Sequence, residues 1–149
     1  MNDGSDTAVE LRTRALRLLA RREHSRQELG RKLSPRAESS DALNALLDSL
    51  EAKKQLSDER FASERAHVLS RKYGAARIRQ DLKARGVDAR TIDSVFSEGD
   101  LERARAILDR KYRDPASTRE ERAKRMRFLQ GRGFSSEIIF KLLSARGEH

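Results

Sequence analysis

The sequence predicts an all-α protein, an elongated array of three tandem three-helix repeats. Three observations lead there. Apolar residues recur at helical spacing and no run alternates with a period of two. Trp is absent and aromatics are 5% of the chain, so the interior falls to Leu, Ile, Val and Ala. Only 36% of the 149 residues are hydrophobic against 38% charged, too little apolar material for one thick core and enough for a row of small ones. Disorder is the competing reading of so much charge, and the helical spacing argues against it.

Leu11, Ala15, Leu18 and Leu19 share one face of a first helix that ends near Arg22. Ser25 and Glu28 have the spacing of a capping box, which opens a second helix carrying Leu29 and Leu33 and stopped by Pro35. After a polar loop, Leu43, Leu46, Leu47 and Leu50 form the clearest amphipathic stripe in the chain. Leu56-Ser57-Asp58-Glu59 supplies a cap and an acidic first turn to a fourth helix. That helix is marked by Phe61, Ala62, Ala66, Val68 and Leu69, runs to Tyr73 and is broken by Gly74. Ala75, Ile78 and Leu82 edge a basic fifth helix that ends at Gly86, and Asp88 caps a sixth with Ile92, Val95 and Phe96. Leu101, Ala104, Ile107 and Leu108 define a seventh. Past Asp114-Pro115, a capping box of Thr118 and Glu121 starts an eighth, with Arg122, Met126 and Leu129 on its inner side. Ser135 caps a ninth with Ile138, Ile139, Leu142 and Leu143.

The second and third helix groups are copies. Ser70-Arg71-Lys72-Tyr73 recurs as Asp109-Arg110-Lys111-Tyr112, and Arg85-Gly86-Val87 recurs as Arg132-Gly133-Phe134. In the first group Leu29 and Leu33 match Ile78 and Leu82, but Arg21-Arg22-Glu23-His24 replaces the basic tetrad. The expected organisation is a polar tail over 1–9, then repeats over 10–55, 56–98 and 99–149, each marginal alone and gaining stability from its neighbours.

Charge is distributed unevenly. Residues 1–59 hold 11 basic and 11 acidic side chains, and residues 60–149 hold 22 and 13, which supply the whole net charge of +9. The bias points to a polyanionic partner for the C-terminal part. The candidate binding surface is Arg71, Lys72, Arg77, Arg79, Lys83 and Arg85 in the second repeat, with Arg110, Lys111, Arg119, Arg122, Lys124, Arg125, Arg127 and Arg132 in the third. Arginine predominates, and its planar fork pairs two-pronged with phosphate or carboxylate. Tyr73 and Tyr112 fit a packing role at helix ends better than base stacking.

No constellation for catalysis is visible, and no enzyme is expected. Without cysteine there are no disulfides, thiolate sites or thiol nucleophiles. His24, His67 and His149 are scattered, so no metal site is expected, and His67 is placed on a helix flank beside the core. Gly131 and Gly133 lack the strand-to-helix context of a nucleotide loop, and no cofactor is expected. Met1 to Val9 has no apolar segment of a signal peptide, and no membrane span is present, so a cytoplasmic protein is expected.

Taken in order along the chain, several stretches resemble the RecX family. They are Leu29 and Leu33 after the capping box, Leu56 to Ala62, Arg71-Lys72-Tyr73-Gly74, Ile78 to Val87, and Leu129 to Leu143 with Arg132-Gly133-Phe134. The resemblance implies three tandem three-helix units, and a monomer is expected. It also implies a regulator that binds RecA filaments on DNA and inhibits RecA ATPase, recombinase and strand-exchange activity in DNA repair and the SOS response. The alternative is a non-specific DNA-binding helical protein acting through its basic helices. Sequence-specific reading is disfavoured, because the third helices carry mostly apolar residues at Ile138 to Leu143 and little beyond Arg90 at Thr91 to Phe96. Weak, phosphate-led contact with single- or double-stranded DNA remains as a companion activity.

Overall fold

The computed structural model describes residues 4–96 and 99–147. These residues form nine α-helices joined by turns, with no strand among them. In order they are α1 (Ala8–Arg21), α2 (Arg26–Leu33), a 3-10 turn (Ser34–Arg36), α3 (Ser40–Ala52), α4 (Asp58–Leu69), α5 (Ala75–Ala84), α6 (Ala89–Val95), α7 (Asp100–Lys111), α8 (Arg119–Gly131) and α9 (Ser136–Ala145). The all-helical expectation and the triplet succession are both met. Residues 1–3, part of the expected tail, and the expected boundary at 98 lie outside the described residues.

The chain divides into two compact units, residues 1–64 with 82–95 and residues 65–81 with 96–149. The core of the first is Leu11 and Ala15 of α1, Leu29 and Leu33 of α2, and Leu46, Leu47 and Leu50 of α3, closed by Leu56. Burying each leucine contributes roughly 1.5–3 kcal/mol, before the entropy of ordering the chain is set against it. Ser25 and Glu28 form the expected capping box. A second, Thr7 with Glu10, opens α1 inside the stretch expected to be tail. Asp6 is buried there, with its carboxylate on Arg14 Nε at 2.9 Å and its N–H donating to the Arg36 carbonyl at 2.8 Å. The second unit centres on Ala104, Ile107 and Leu108 of α7, Leu129 of α8, Phe134, and Ile139, Leu142 and Leu143 of α9. Asp88 and Ser135 cap α6 and α9 as expected. The capping box expected at α8 is half formed. Thr118 accepts from the Glu121 N–H, but the Glu121 carboxylate takes the Ser117 N–H at 2.8 Å instead.

Each unit contains one junction between successive repeats, built by the same rules. The first residue of a helix has an orphan N–H. In the first unit the Arg26 N–H donates to Asp58 Oδ1 at 2.7 Å, and in the second the Ala75 N–H donates to the Asp100 carboxylate at 2.9 and 3.2 Å. The carbonyl of the arginine in each Arg-Gly-apolar motif is taken up as well. Ser25 Oγ donates to the Arg85 carbonyl at 2.7 Å, and the Gly74 N–H donates to the Arg132 carbonyl at 2.8 Å. The glycines that follow, Gly86 and Gly133, have φ of 88° and 92° and lie against Gln27 and Arg77. The repeated motif therefore marks a docking point between repeats as well as a helix stop.

Buried in the first unit, His24 sits where the later repeats carry Tyr73 and Tyr112. Its Nδ1 is 3.0 Å from the Arg22 carbonyl and its Nε2 is 2.9 Å from Lys32 Nζ. A carbonyl only accepts and an ammonium only donates, so the ring is the neutral tautomer with the proton on Nδ1. Burial lowers its pKa, and the Arg22 and Lys32 charges add to that against the Arg22 hydrogen bond and Glu28. The unfolded chain thus takes up this proton more readily than the folded one, so the His24 contribution is present above about pH 6.5 and is lost as pH falls. Urea midpoints are expected to drop between about pH 7.5 and 5.5, with a shallower drop in His24→Gln. Equal slopes for the two proteins would contradict this role.

Candidate functional site

Three helix C-termini in the second unit carry cations, where the partial negative charge of the helix end favours them. Arg71 and Lys72 follow α4, Arg110 and Lys111 close α7, and Arg132 caps α8. All five line a shallow depression of about 500 Å³ whose remaining lining is Val68, Ile107 and Phe128. No described carboxylate lines it. Guanidinium groups hold the rim in place. Arg110 donates to the Arg71 carbonyl, and Arg132 Nη1 donates to the Lys72 carbonyl at 3.3 Å. Lys111 Nζ and the Arg132 guanidinium lie 4.3 and 5.0 Å from the centroid of the Phe128 ring. The helix-end dipoles and ring faces moderate repulsion among the cations by tenths of a kcal/mol to about 1 kcal/mol each. Five cationic side chains outweigh those terms, so the depression is strongly positive.

The structure thus unites both copies of the repeated Arg-Lys pair with the arginine of the second repeated motif. Arg77 stands beside them, over Tyr73 at 4.4 Å and donating to the Gly131 carbonyl at 2.6 Å. Arg79 lies over Phe96 at 5.5 Å, and Lys83, Arg119, Lys124 and Arg127 are exposed outside the depression.

Three expected site residues are engaged in the fold. Arg85 pairs with Glu28 at 2.7 Å in the first unit. Arg122 is half-buried, 6.0 Å from the Phe140 ring. Arg125 is 7% exposed, donates to the Asp114 carbonyl at 2.7 Å and lies over Tyr112 at 4.4 Å. The expected inner side of α8, Arg122 with Met126 and Leu129, is therefore corrected to include Arg125, which is more deeply buried than Arg122. Arg125→Glu is expected to destabilise the chain by about 3–5 kcal/mol, since it would leave a buried charge without a partner. Exposed Arg127→Glu should stay within about 0.5 kcal/mol. Urea denaturation of the two variants checks this, and equal midpoints would contradict it.

Sequence reasoning missed the apolar floor. Val68 was assigned to the core face of α4 but is 58% exposed, and α4 ends at Leu69 rather than Tyr73. His67 is exposed rather than flanking the core, and His149 lies outside the described residues. Among the described residues no group of three or more His, Asp or Glu could hold a metal ion, and no helix is long and apolar enough to cross a membrane.

In the first unit the counterparts of Arg71, Lys72 and Arg132, namely Arg22, Glu23 and Arg85, are all paired. Arg22 there matches Arg71, and Glu28 matches Arg77. Glu28 takes Arg22 at 3.2 Å and Arg85 at 2.7 Å, while Glu23, which matches Lys72, takes Arg60 at 2.9 Å. Burial alone would push the Glu28 carboxyl up, but hydrogen bonds from Arg22, the Ser25 N–H and Arg85 outweigh it and hold the pKa below its ordinary value. The positions that match Arg71, Lys72 and Arg132 are thus held in ion pairs in the first unit.

Comparison with known proteins places this architecture. Models of the first, second and third three-helix domains of RecX match residues 12–50, 57–95 and 98–143. Regulatory protein RecX of Ralstonia nicotianae is 41% identical over 138 residues, 91% of this chain and 87% of its own. That of Herbaspirillum seropedicae is 43% identical over 134 residues, covering 88% and 87%. The crystal structure of RecX from Lactobacillus salivarius superposes with a TM-score of 0.79 over 94% of this chain and 96% of its own, at 19% identity, a likeness of fold. With three domain models in succession and relatives this similar over most of its length, the chain belongs to the RecX family of regulatory proteins.

Proposed function

We propose that this protein binds RecA filaments assembled on DNA and lowers their ATP hydrolysis and strand exchange. In this reading it works by binding, as a monomer in the cytoplasm, and catalyses no reaction of its own. The observation that carries the reading is the open cationic depression, where both copies of the repeated Arg-Lys pair meet Arg132. The matching first-unit positions Arg22, Glu23 and Arg85 are held in ion pairs, so the repeat architecture does not itself require open charge there. Direct non-specific DNA contact through the exposed cations Arg119, Lys124 and Arg127 of α8 is the companion activity.

The test is RecA ATP hydrolysis on circular single-stranded DNA, titrated with this protein at fixed salt. A progressive fall in rate is expected, with no hydrolysis by this protein alone. An unchanged rate at several-fold excess over RecA would contradict the proposal.

A further inference from the structure

We infer that the cationic depression of the second unit receives an acidic peptide segment anchored by one bulky apolar side chain, and is not a seat for a nucleic-acid strand. This deepens the reading above, and it rests on that reading in taking the depression to be a protein-binding site. The five cations share the lining of the depression with apolar side chains: Val68, 58% exposed, half-buried Phe128 and buried Ile107. A phosphate backbone gains nothing from such a floor. An apolar side chain flanked by carboxylates is complementary to both kinds of lining residue.

A nucleic-acid strand would use the floor by stacking bases on aromatic faces. Those faces already carry cations. Phe128 has Lys111 and Arg132, Tyr73 has Arg77 at 4.4 Å, and Tyr112 has Arg125 at 4.4 Å. A stacked base would have to displace them. The rim guanidiniums suit carboxylates, because Arg110 and Arg132 each use one side on a backbone carbonyl and are thereby held in position, with other donors left for a two-pronged contact.

The experiment uses the full chain and three fluorescent probes. These are a short acidic peptide with a central leucine, the same peptide with serine in its place, and an oligothymidylate of similar length. The leucine peptide is expected to bind about tenfold or more tightly than its serine twin, as burial of one leucine predicts. Val68→Ser should remove most of that difference without unfolding the chain, and the double variant Lys72→Glu/Lys111→Glu should weaken both peptides strongly. Equal binding of the two peptides would overturn the apolar anchor. Oligothymidylate that binds as tightly as the leucine peptide and competes with it would overturn the choice of peptide over nucleic acid. If neither peptide binds a protein that still inhibits RecA, this inference fails while the function proposed above stands.

Discussion

Replacing Arg71, Lys72 and Lys111 together by glutamate is expected to abolish inhibition of RecA at concentrations where the unaltered protein inhibits fully. All three side chains are exposed and line the depression, so their reversal changes its sign without opening a core. Arg110 and Arg132 are left in place because they hold the carbonyls of Arg71 and Lys72. A single exposed pair is worth about 0.2–1 kcal/mol, but reversal adds repulsion and the three act on one ligand. The combined loss should be about 1.4–4 kcal/mol, or roughly tenfold to a thousandfold in affinity. Arg17→Glu with Arg31→Glu, both exposed in the first unit, is the matched control and should inhibit almost normally. Circular dichroism verifies that each variant is folded. Full inhibition by the folded triple variant would remove the depression from the binding surface.

Gly133→Ala is expected to lower stability by about 2–5 kcal/mol. The residue has φ of 92°, where an L side chain costs roughly 1–2 kcal/mol. Its new Cβ would also stand 2.7 Å from Arg77 Cβ and 3.2 Å from the Arg77 backbone nitrogen, an overpacking worth about 1–3 kcal/mol more. Gly131, two residues away, sits in α8 with nothing within 4 Å of an added Cβ. Gly131→Ala should therefore be neutral or stabilising by up to about 1 kcal/mol. Urea titration of the pair separates a docking glycine from a merely helical one, and a Gly133→Ala protein as stable as the parent would show that the junction yields.

What was legible in the sequence follows physical range. The leucine stripe of α3 and the caps at Ser25, Asp88 and Ser135 are local and were readable, because periodicity and capping act within one or two turns. The Thr7 cap was hidden by the polar stretch around it. Val68 has helical spacing with the core residues of α4, and periodicity alone does not separate a buried stripe from a functional apolar patch beside it. On α8 the apolar residues are too few to define a face, and Arg125 is buried there by its contacts with the Asp114 carbonyl and the Tyr112 ring. Duplication of the Arg-Lys pair was visible as a repeat. Its convergence on Phe128 depends on how α4, α7 and α8 end, which no local rule encodes. The same holds for Asp58, which lies in the acidic first turn of α4 as expected and also accepts from the Arg26 N–H of α2.

Co-sedimentation with RecA filaments on single-stranded DNA, at a salt concentration that abolishes binding to the DNA alone, tests the central claim most directly. The protein should pellet in saturable proportion to RecA, while the Arg71, Lys72 and Lys111 triple variant stays in the supernatant and the Arg17, Arg31 control pellets normally. Pelleting that is the same with and without RecA, or that the triple variant retains in full, would contradict a filament-binding regulator acting through this depression.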